Sequence, residues 1–375
     1  MSEPLCFFFS PPPRTQPLLG ILTRYVLGDA LSRGWAFISA DYRLLIPSTG
    51  HEILRDVKSL FAFLADTDGG LNKELKALGC PHQIDPNRLF VGGSCAGAYP
   101  AFLAALFAQP KPKGYFSLYG VGGDLLSEFY LPLLKLSSSQ ENGGEGGLPP
   151  QESPVLSIDE IVAHAPELRK FLAPSSEDVR AMRSVADVPA SLAPRVIVSG
   201  FRTPSSPSSV LSRSNSSTGS LSESAGTLVT TDLIPGTNIP GHRARIGGAL
   251  RNALHHSGKY LDYLVGIPDL SAQLSQMQDY EDRCRFVAQS ERCRYLFPQI
   301  WVDRDFPPSI VVHGDADGVV SIGESRRFVE QLKECGVEVV FLVAEGKGHQ
   351  FEERASPEVY LHYVKPVVEF LRRFA

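Results

Sequence analysis

The sequence lacks the features that mark several classes of protein. Its 36 basic residues are outnumbered by 41 acidic ones, for a net charge of −5, so no cationic surplus indicates a nucleic-acid or anionic-membrane surface. No run approaches the ~18 uncharged apolar residues of a membrane-spanning helix. The first residues lack the basic and long apolar parts of a secretory leader. We therefore expect a cytoplasmic protein with no membrane span and no nucleic-acid partner.

Cysteine is also sparse. The six cysteines are scattered along 375 residues and form neither a CxxC pair nor a dense disulfide framework. This usage is typical of a chain in a reducing, intracellular compartment. The positions are Cys6, Cys80, Cys95, Cys284, Cys293 and Cys335.

Strand-like and helix-like segments alternate along much of the chain. Such alternation predicts an α/β fold, a mostly parallel sheet with helices on both faces. Apolar runs typical of buried strands lie at 34–42, 89–91, 115–119, 310–312 and 337–343. Helical spacing of apolar residues covers 51–64, 96–108, 325–335 and 357–374.

The middle of the chain interrupts this pattern. Residues 137–151 are rich in Ser, Gly and Pro, and residues 203–226 contain 11 serines among 24 positions, which is typical of loops or disordered inserts. We divide the chain into an N-terminal half of the core (1–131), a helical cap carrying these inserts (132–299) and a C-terminal half of the core (300–375).

A glycine-rich turn between a strand and a helix has the form of a nucleophile elbow. An apex residue there is strained, so its neighbours two positions away must be small. With Cys95 at the apex, the flanks are Gly93 and Gly97. With Ser94 at the apex, alanine replaces the second glycine. We favour Cys95 and keep Ser94 as the alternative nucleophile.

Two polar loops follow later strands. Asp317 comes after the strand at 310–312, and His349 follows the strand at 337–343. Open α/β sheets place their sites at these strand ends. The order nucleophile, acid, base is that of the α/β-hydrolase triad. We expect His313 to brace its loop and Asp315 to cap a turn.

Four motifs together carry a resemblance to a known superfamily. They are Asp41-Tyr42-Arg43-Leu44, Asp85-Pro86-x-Arg88, His313-Gly314-x-x-Asp317-x-x-Val320 and Gly348-His349-x-Phe351. The chain resembles the α/β-hydrolases, in particular the hormone-sensitive-lipase-like esterases, with prolyl-oligopeptidase-like features. The resemblance implies an α/β-hydrolase fold, truncated at the N-terminus and carrying a helical cap, with cysteine where most relatives have serine.

The resemblance also implies a function. Cys95, Asp317 and His349 would form a triad hydrolysing a carboxylic ester, thioester or lactone, with the Ala96 amide in the oxyanion hole. A small-molecule acyl substrate is the expected partner, with no cofactor or metal. However, Pro11–Pro13 stands where relatives have the His-Gly-Gly-Gly loop of that hole, and proline has no N–H. Two alternatives remain open, a catalytically silent binding protein and a peptidase of the prolyl-oligopeptidase kind.

Overall fold

The computed structural model describes residues 2–9, 28–131, 196–201, 227–231 and 254–375, except for positions 29, 31, 41, 46, 47, 256 and 355. The strands are β1 (Ser2–Phe9), β2 (Ala36–Ala40), β3 (Gln83–Ser94), β4 (Gly114–Leu118), β5 (Val196–Phe201), β6 (Thr227–Thr231), β7 (Ser309–Gly314) and β8 (Val339–Ala344). The helices are α1 (Gly50–Ala65), α2 (Leu71–Ala77), α3 (Ala98–Phe107), α4 (Tyr260–Val265), α5 (Leu270–Ser275), α6 (Tyr280–Gln289), α7 (Ile322–Glu334) and α8 (Lys365–Arg372).

These strands form one sheet in the order β6-β5-β2-β1-β3-β4-β7-β8. The six strands from β2 to β8 in this order pair in parallel. At the other edge, β5 is antiparallel to β2, and β6 is antiparallel to β5. The predicted α/β fold with a mostly parallel sheet is thus confirmed.

The segment at 132–299, which we predict to be a helical cap, contributes β5 and β6 to the sheet. Val198 of β5 lies opposite Ile38 of β2. The run Val196-Ile197-Val198 has the β-branched character of a strand. However, its partner lies some 160 positions earlier, so nothing local in the sequence indicates the pairing. The predicted inserts at 137–151 and 203–226 lie outside the described residues.

Helix α1 begins at a capping box. The Thr49 hydroxyl accepts a hydrogen bond from the His51 N–H (3.2 Å), and Glu52 accepts one from the Thr49 N–H (2.9 Å). Arg43 of the Asp41-Tyr42-Arg43-Leu44 motif binds Asp56 of this helix through its guanidinium, with the closest contact at 2.7 Å. The ion pair of Arg43 with Asp56 therefore links the loop after β2 to α1.

The core lies on both faces of the sheet. Along β4 the side chains alternate, so that Tyr115 packs in the cluster with Phe102 while Phe116 packs in the cluster with Phe90 on the opposite face. Helices α3 and α7 cover the first face, and α8 covers the second. This burial on both sides explains why the central strands read as continuous apolar runs.

The C-terminal segment is helical without interruption from Pro357 to Arg372, as the helical spacing over 357–374 predicts. It contains a π-helical turn at Tyr360–Val364, between a short α-helical start at Pro357–Val359 and α8. Within the described ranges, no helix has the length and apolar character needed to cross a membrane.

Candidate active site

The turn between β3 and α3 contains a residue in the left-handed backbone region. Ser94 is extended, with φ −112° and ψ 146°, whereas Cys95 has a φ of +52°. A 3-10 turn, Cys95–Gly97, then leads into α3. Positive φ is uncommon for a residue other than glycine and is found at strained functional positions. Cys95, and not Ser94, therefore has the strained backbone conformation in this turn.

The glycine two positions before Cys95 is required by close backbone approach. A Cβ atom at Gly93 would lie 2.2 Å from the carbonyl oxygen of Gly97. Gly92 has a different neighbour, because a Cβ there would lie 2.2 Å from the Phe116 ring. The backbone contact between positions two before and two after Cys95 is the one that a strand-to-helix elbow needs.

Other contacts hold this turn in place. The Cys95 residue is buried, at 7% exposure, and its carbonyl oxygen accepts a hydrogen bond from the Val121 N–H at 3.1 Å. Ala96, the predicted oxyanion-hole residue, lies in the 3-10 turn directly after Cys95. The predicted counterpart at Pro11–Pro13 lies outside the described residues.

Asp317 lies in the loop after β7, with its carboxylate fully buried. Its Oδ1 accepts hydrogen bonds from the Val319 N–H (2.8 Å) and the Val320 N–H (3.0 Å). Its Oδ2 lies 2.7 Å from Nδ1 of His349. Burial alone would raise the pKa of Asp317, but hydrogen bonds from His313 and His349 hold it well below its usual range. The carboxylate is therefore ionised at neutral pH.

His349 lies in the loop after β8, between the acid and the cysteine. Nδ1 is bonded to Asp317, whereas Nε2 is buried and makes no hydrogen bond within the described residues, so Cys95 acts on the imidazole electrostatically. Burial would lower the pKa of His349, but the hydrogen bond to Asp317 and the interaction with the Cys95 thiol raise it to about 9. A protonated imidazole at neutral pH stabilises a neighbouring thiolate, which is the nucleophilic form of cysteine. The three residues picked out by the sequence motifs are thus brought together.

A buried tyrosine that is not predicted from the sequence contacts His349. Tyr119 follows β4 with a φ of +40°, and its ring meets the His349 ring edge-on at 4.7 Å between centroids. Its hydroxyl donates a hydrogen bond to Glu352. Burial, and then the Glu352 carboxylate, raise the pKa of Tyr119 well above its usual value. The sequence could have indicated these two residues only by their positions, since Tyr119 follows a strand and Glu352 comes three residues after His349.

His313 and Asp315, which lie close to Asp317 in the sequence, differ in their exposure. His313, at the end of β7, is fully buried, with Nδ1 2.7 Å from the Ser325 hydroxyl and Nε2 3.1 Å from the Val320 carbonyl oxygen. Asp315 is exposed and accepts a hydrogen bond from the Gly346 N–H at 2.6 Å. Among the residues that the structure describes, no three His, Cys, Asp or Glu side chains are grouped to hold a metal ion.

Part of the chain matches a known family. Residues 274–375 match the model of the prolyl oligopeptidase family. The match includes Asp317 and His349 but not the turn at Cys95. No match was found among curated proteins.

Several solved structures resemble the chain as a whole. An acetyl ester-xyloside bifunctional hydrolase from Caldicellulosiruptor lactoaceticus is 13% identical, with a TM-score of 0.43 over 99% of this chain and 84% of that one. An esterase from Thermogutta terrifontis is 13% identical, with a TM-score of 0.45 over 100% and 84%. A sugar hydrolase from Lactococcus lactis is 11% identical, with a TM-score of 0.44 over 99% and 90%. Likeness at this level says nothing about the chemistry of the site.

The sheet order, the strained turn after β3 and the family match over 274–375 together agree with the predicted α/β-hydrolase fold.

Proposed function

We propose that this chain hydrolyses a carboxylic ester, thioester or lactone, with Cys95 as nucleophile, His349 as base and Asp317 as the acid of a triad. One observation carries the proposal: a cysteine with positive φ interacts with a histidine that is itself hydrogen-bonded to a buried carboxylate. These are the parts of a nucleophilic acyl-transfer site.

In the proposed reaction, the Cys95 thiolate attacks the carbonyl carbon and the carbonyl electron pair moves to oxygen, near the Ala96 N–H. The bond to the leaving alcohol or thiol then breaks, and the His349 imidazolium donates its proton to the leaving group. Neutral His349 next takes a proton from water, and the hydroxide attacks the thioester. Release of the carboxylic acid restores the thiolate and the imidazolium.

The surrounding structure is compatible with a thiol enzyme. The cysteines at positions 80, 95, 284, 293 and 335 form no disulfide bond among the described side chains. A free nucleophilic thiol persists in a reducing compartment, which supports the expected cytoplasmic setting. In this proposal the substrate is a small acyl compound and no cofactor takes part.

Three alanine variants test the nucleophile. Cys95→Ala should lower hydrolysis of 4-nitrophenyl acetate by at least about 10³-fold, because the attacking atom is removed. Ser94→Ala should retain activity, and Cys80→Ala is the matched control, since this cysteine lies after α2, away from the turn. Loss of activity in Ser94→Ala with an active Cys95→Ala would reverse the assignment and make Ser94 the nucleophile.

A silent binding protein is the first alternative. The proline run at Pro11–Pro13 motivates it, since loss of one oxyanion donor costs ~10²- to 10³-fold in rate. Labelling with iodoacetamide and a fluorophosphonate distinguishes the two: the hydrolase should be labelled at Cys95. A chain that is labelled at neither Cys95 nor Ser94 and turns over no ester would be the silent protein.

A peptidase is the second alternative, and the family match over 274–375 favours it. The same triad would then act on an amide. Comparing a proline-containing peptide nitroanilide with the corresponding ester measures this directly. A kcat/KM for the peptide equal to or above that for the ester would establish the peptidase.

A further inference from the structure

Two histidines contact the carboxylate of Asp317. Its Oδ2 lies 2.7 Å from Nδ1 of His349 and 3.3 Å from Nε2 of His313. Its Oδ1 is already held by the two backbone N–H groups of its own loop. The second histidine therefore contacts the same oxygen that serves the proposed base.

The hydrogen bonds of His313 determine which nitrogen carries the proton. Nε2 lies 3.1 Å from the Val320 carbonyl oxygen, which can only accept, so Nε2 carries hydrogen. Nδ1 lies 2.7 Å from the Ser325 hydroxyl, so when the ring carries hydrogen on Nε2 alone, Nδ1 accepts a hydrogen bond from Ser325. Nε2 also lies 3.3 Å from Asp317 Oδ2, so hydrogen on Nε2 favours the ionised carboxylate, and Ser325 favours this tautomer.

The charged and titratable groups around this pair come from several elements. On the far side of His349 lie Cys95, Tyr119 and Glu352. From α7, Glu324 is buried next to Ser325 and accepts hydrogen bonds from the Tyr130 hydroxyl and from two glycine N–H groups. On the adjoining loops, Asp315 and Lys347 are exposed.

We propose that His313, with its tautomer set by Ser325, is a positioning residue that keeps Asp317 ionised and directed at His349, and thereby extends the thiolate–imidazolium pair to lower pH. This inference rests on the proposed function of Cys95, His349 and Asp317.

The direction of the effect follows from which form each hydrogen bond favours. Burial would raise the pKa of Asp317, and the hydrogen bond from His313 opposes this ahead of the one from His349. A donor to the ionised carboxylate favours that form. Without His313, Asp317 takes up a proton at higher pH, and a neutral carboxyl no longer stabilises the imidazolium. The thiolate is then lost at higher pH as well.

The test measures how the rate of Cys95 alkylation by iodoacetamide depends on pH, from about pH 4 to about pH 9, by mass spectrometry of the Cys95 peptide. His313→Leu removes the donor, and we expect the acid midpoint to rise by roughly one pH unit. His313→Gln keeps an N–H at similar reach and should restore most of the wild-type profile. Ser325→Ala should give a smaller rise. His362→Leu is the matched control, because His362 is an exposed histidine whose Nδ1 lies 2.9 Å from the carbonyl oxygen of Glu358 in its own helical segment.

Three outcomes would overturn the inference. They are a wild-type profile in His313→Leu, an equal shift in His313→Gln and His313→Leu, and a wild-type Cys95 that titrates like an ordinary thiol. If circular dichroism shows that His313→Leu does not fold, the pH profile of Ser325→Ala becomes the test. A wild-type profile in Ser325→Ala would then contradict the inference. Failure of the proposed function has another signature: Cys95 is alkylated at low pH with the predicted shifts, yet no ester, thioester or lactone is turned over.

Discussion

Tyr119 supports His349 through its ring and binds Glu352 through its hydroxyl. The Tyr119 and His349 rings meet edge to face with their centroids 4.7 Å apart, and the Tyr119 hydroxyl is buried against the Glu352 carboxylate. The two parts of the side chain therefore have separable roles. The ring limits where the imidazole can lie, while the hydroxyl satisfies a buried acid.

Tyr119→Phe should separate these roles. The retained ring should keep His349 in place, so kcat should stay within about tenfold of wild type. The lost hydroxyl leaves a buried carboxyl without one donor, which costs about 1–3 kcal/mol of unfolding free energy. Urea unfolding and steady-state kinetics on one preparation measure both. Tyr295→Phe is the matched control, since Tyr295 is 39% exposed. An unchanged unfolding free energy in Tyr119→Phe would contradict the role of the hydroxyl.

At the level of single residues, the sequence predicts those that belong to short motifs. Cys95 could be picked out because glycines flank it at both required positions, and Asp317 and His349 because each follows a strand. Tyr119 and Glu352 could not, because their contact joins residues 233 positions apart. Burial of a tyrosine beside a histidine depends on how β4 and β8 are placed, which no local pattern specifies.

The turn from β3 to α3 depends on backbone contact between the two elements. The 2.2 Å separation between a Cβ built at Gly93 and the Gly97 carbonyl oxygen involves main-chain atoms, which cannot move aside as a flexible side chain would. In helix α3, which follows, the residues from Ala98 to Ala105 are all buried. The position of Cys95 is therefore set by how closely the strand and the helix approach.

Gly93→Ala should disrupt this approach. Overpacking costs about 1–3 kcal/mol or more, and here it would also displace Cys95 from His349, so alkylation and ester turnover should both fall. Gly28→Ala is the control, because a Cβ there meets nothing within 4 Å and alanine favours a helix. Thermal unfolding and the Cys95 alkylation rate are the measurements. A Gly93→Ala variant with wild-type stability and alkylation rate would be inconsistent with the contact.

Among the elements, the central strands and their helices could be predicted, but the antiparallel edge could not. Strand β4 is buried on both faces and its sequence is an apolar run. Helix α7 follows the loop that carries Asp317, and its apolar residues have clear helical spacing. Strands β5 and β6 lie on either side of a serine-rich stretch that reads as a loop. Their place in the sheet comes from pairing with β2, which is a long-range contact.

At the scale of the molecule, the sheet order explains how distant residues meet. Strands β3, β4, β7 and β8 are neighbours in parallel pairing, so their C-terminal ends lie along one edge. Cys95 follows β3, Tyr119 follows β4, Asp317 follows β7 and His349 follows β8. The long middle segment separates the two halves in sequence without separating them in space, which the order of the motifs alone predicts.

The ionised acid at this edge should also make the stability of the whole protein depend on pH. The pKa of Asp317 is lower in the folded chain than in the unfolded chain, so its contribution is present above the unfolded value of about 3.9 and is lost as pH falls through the folded value. Asp317→Asn lacks this contribution at every pH. The difference in thermal midpoint between wild type and Asp317→Asn should therefore be largest near neutrality.

That difference should narrow steadily below about pH 4, as wild type loses the contribution that the variant never had. Thermal unfolding followed by circular dichroism across this range measures it. Asp68→Asn is the matched control, because Asp68 is exposed on the turn after α1. A difference in thermal midpoint that stays constant down to about pH 2 would mean that Asp317 contributes by shape and not by charge, because only the charged form is lost on acidification.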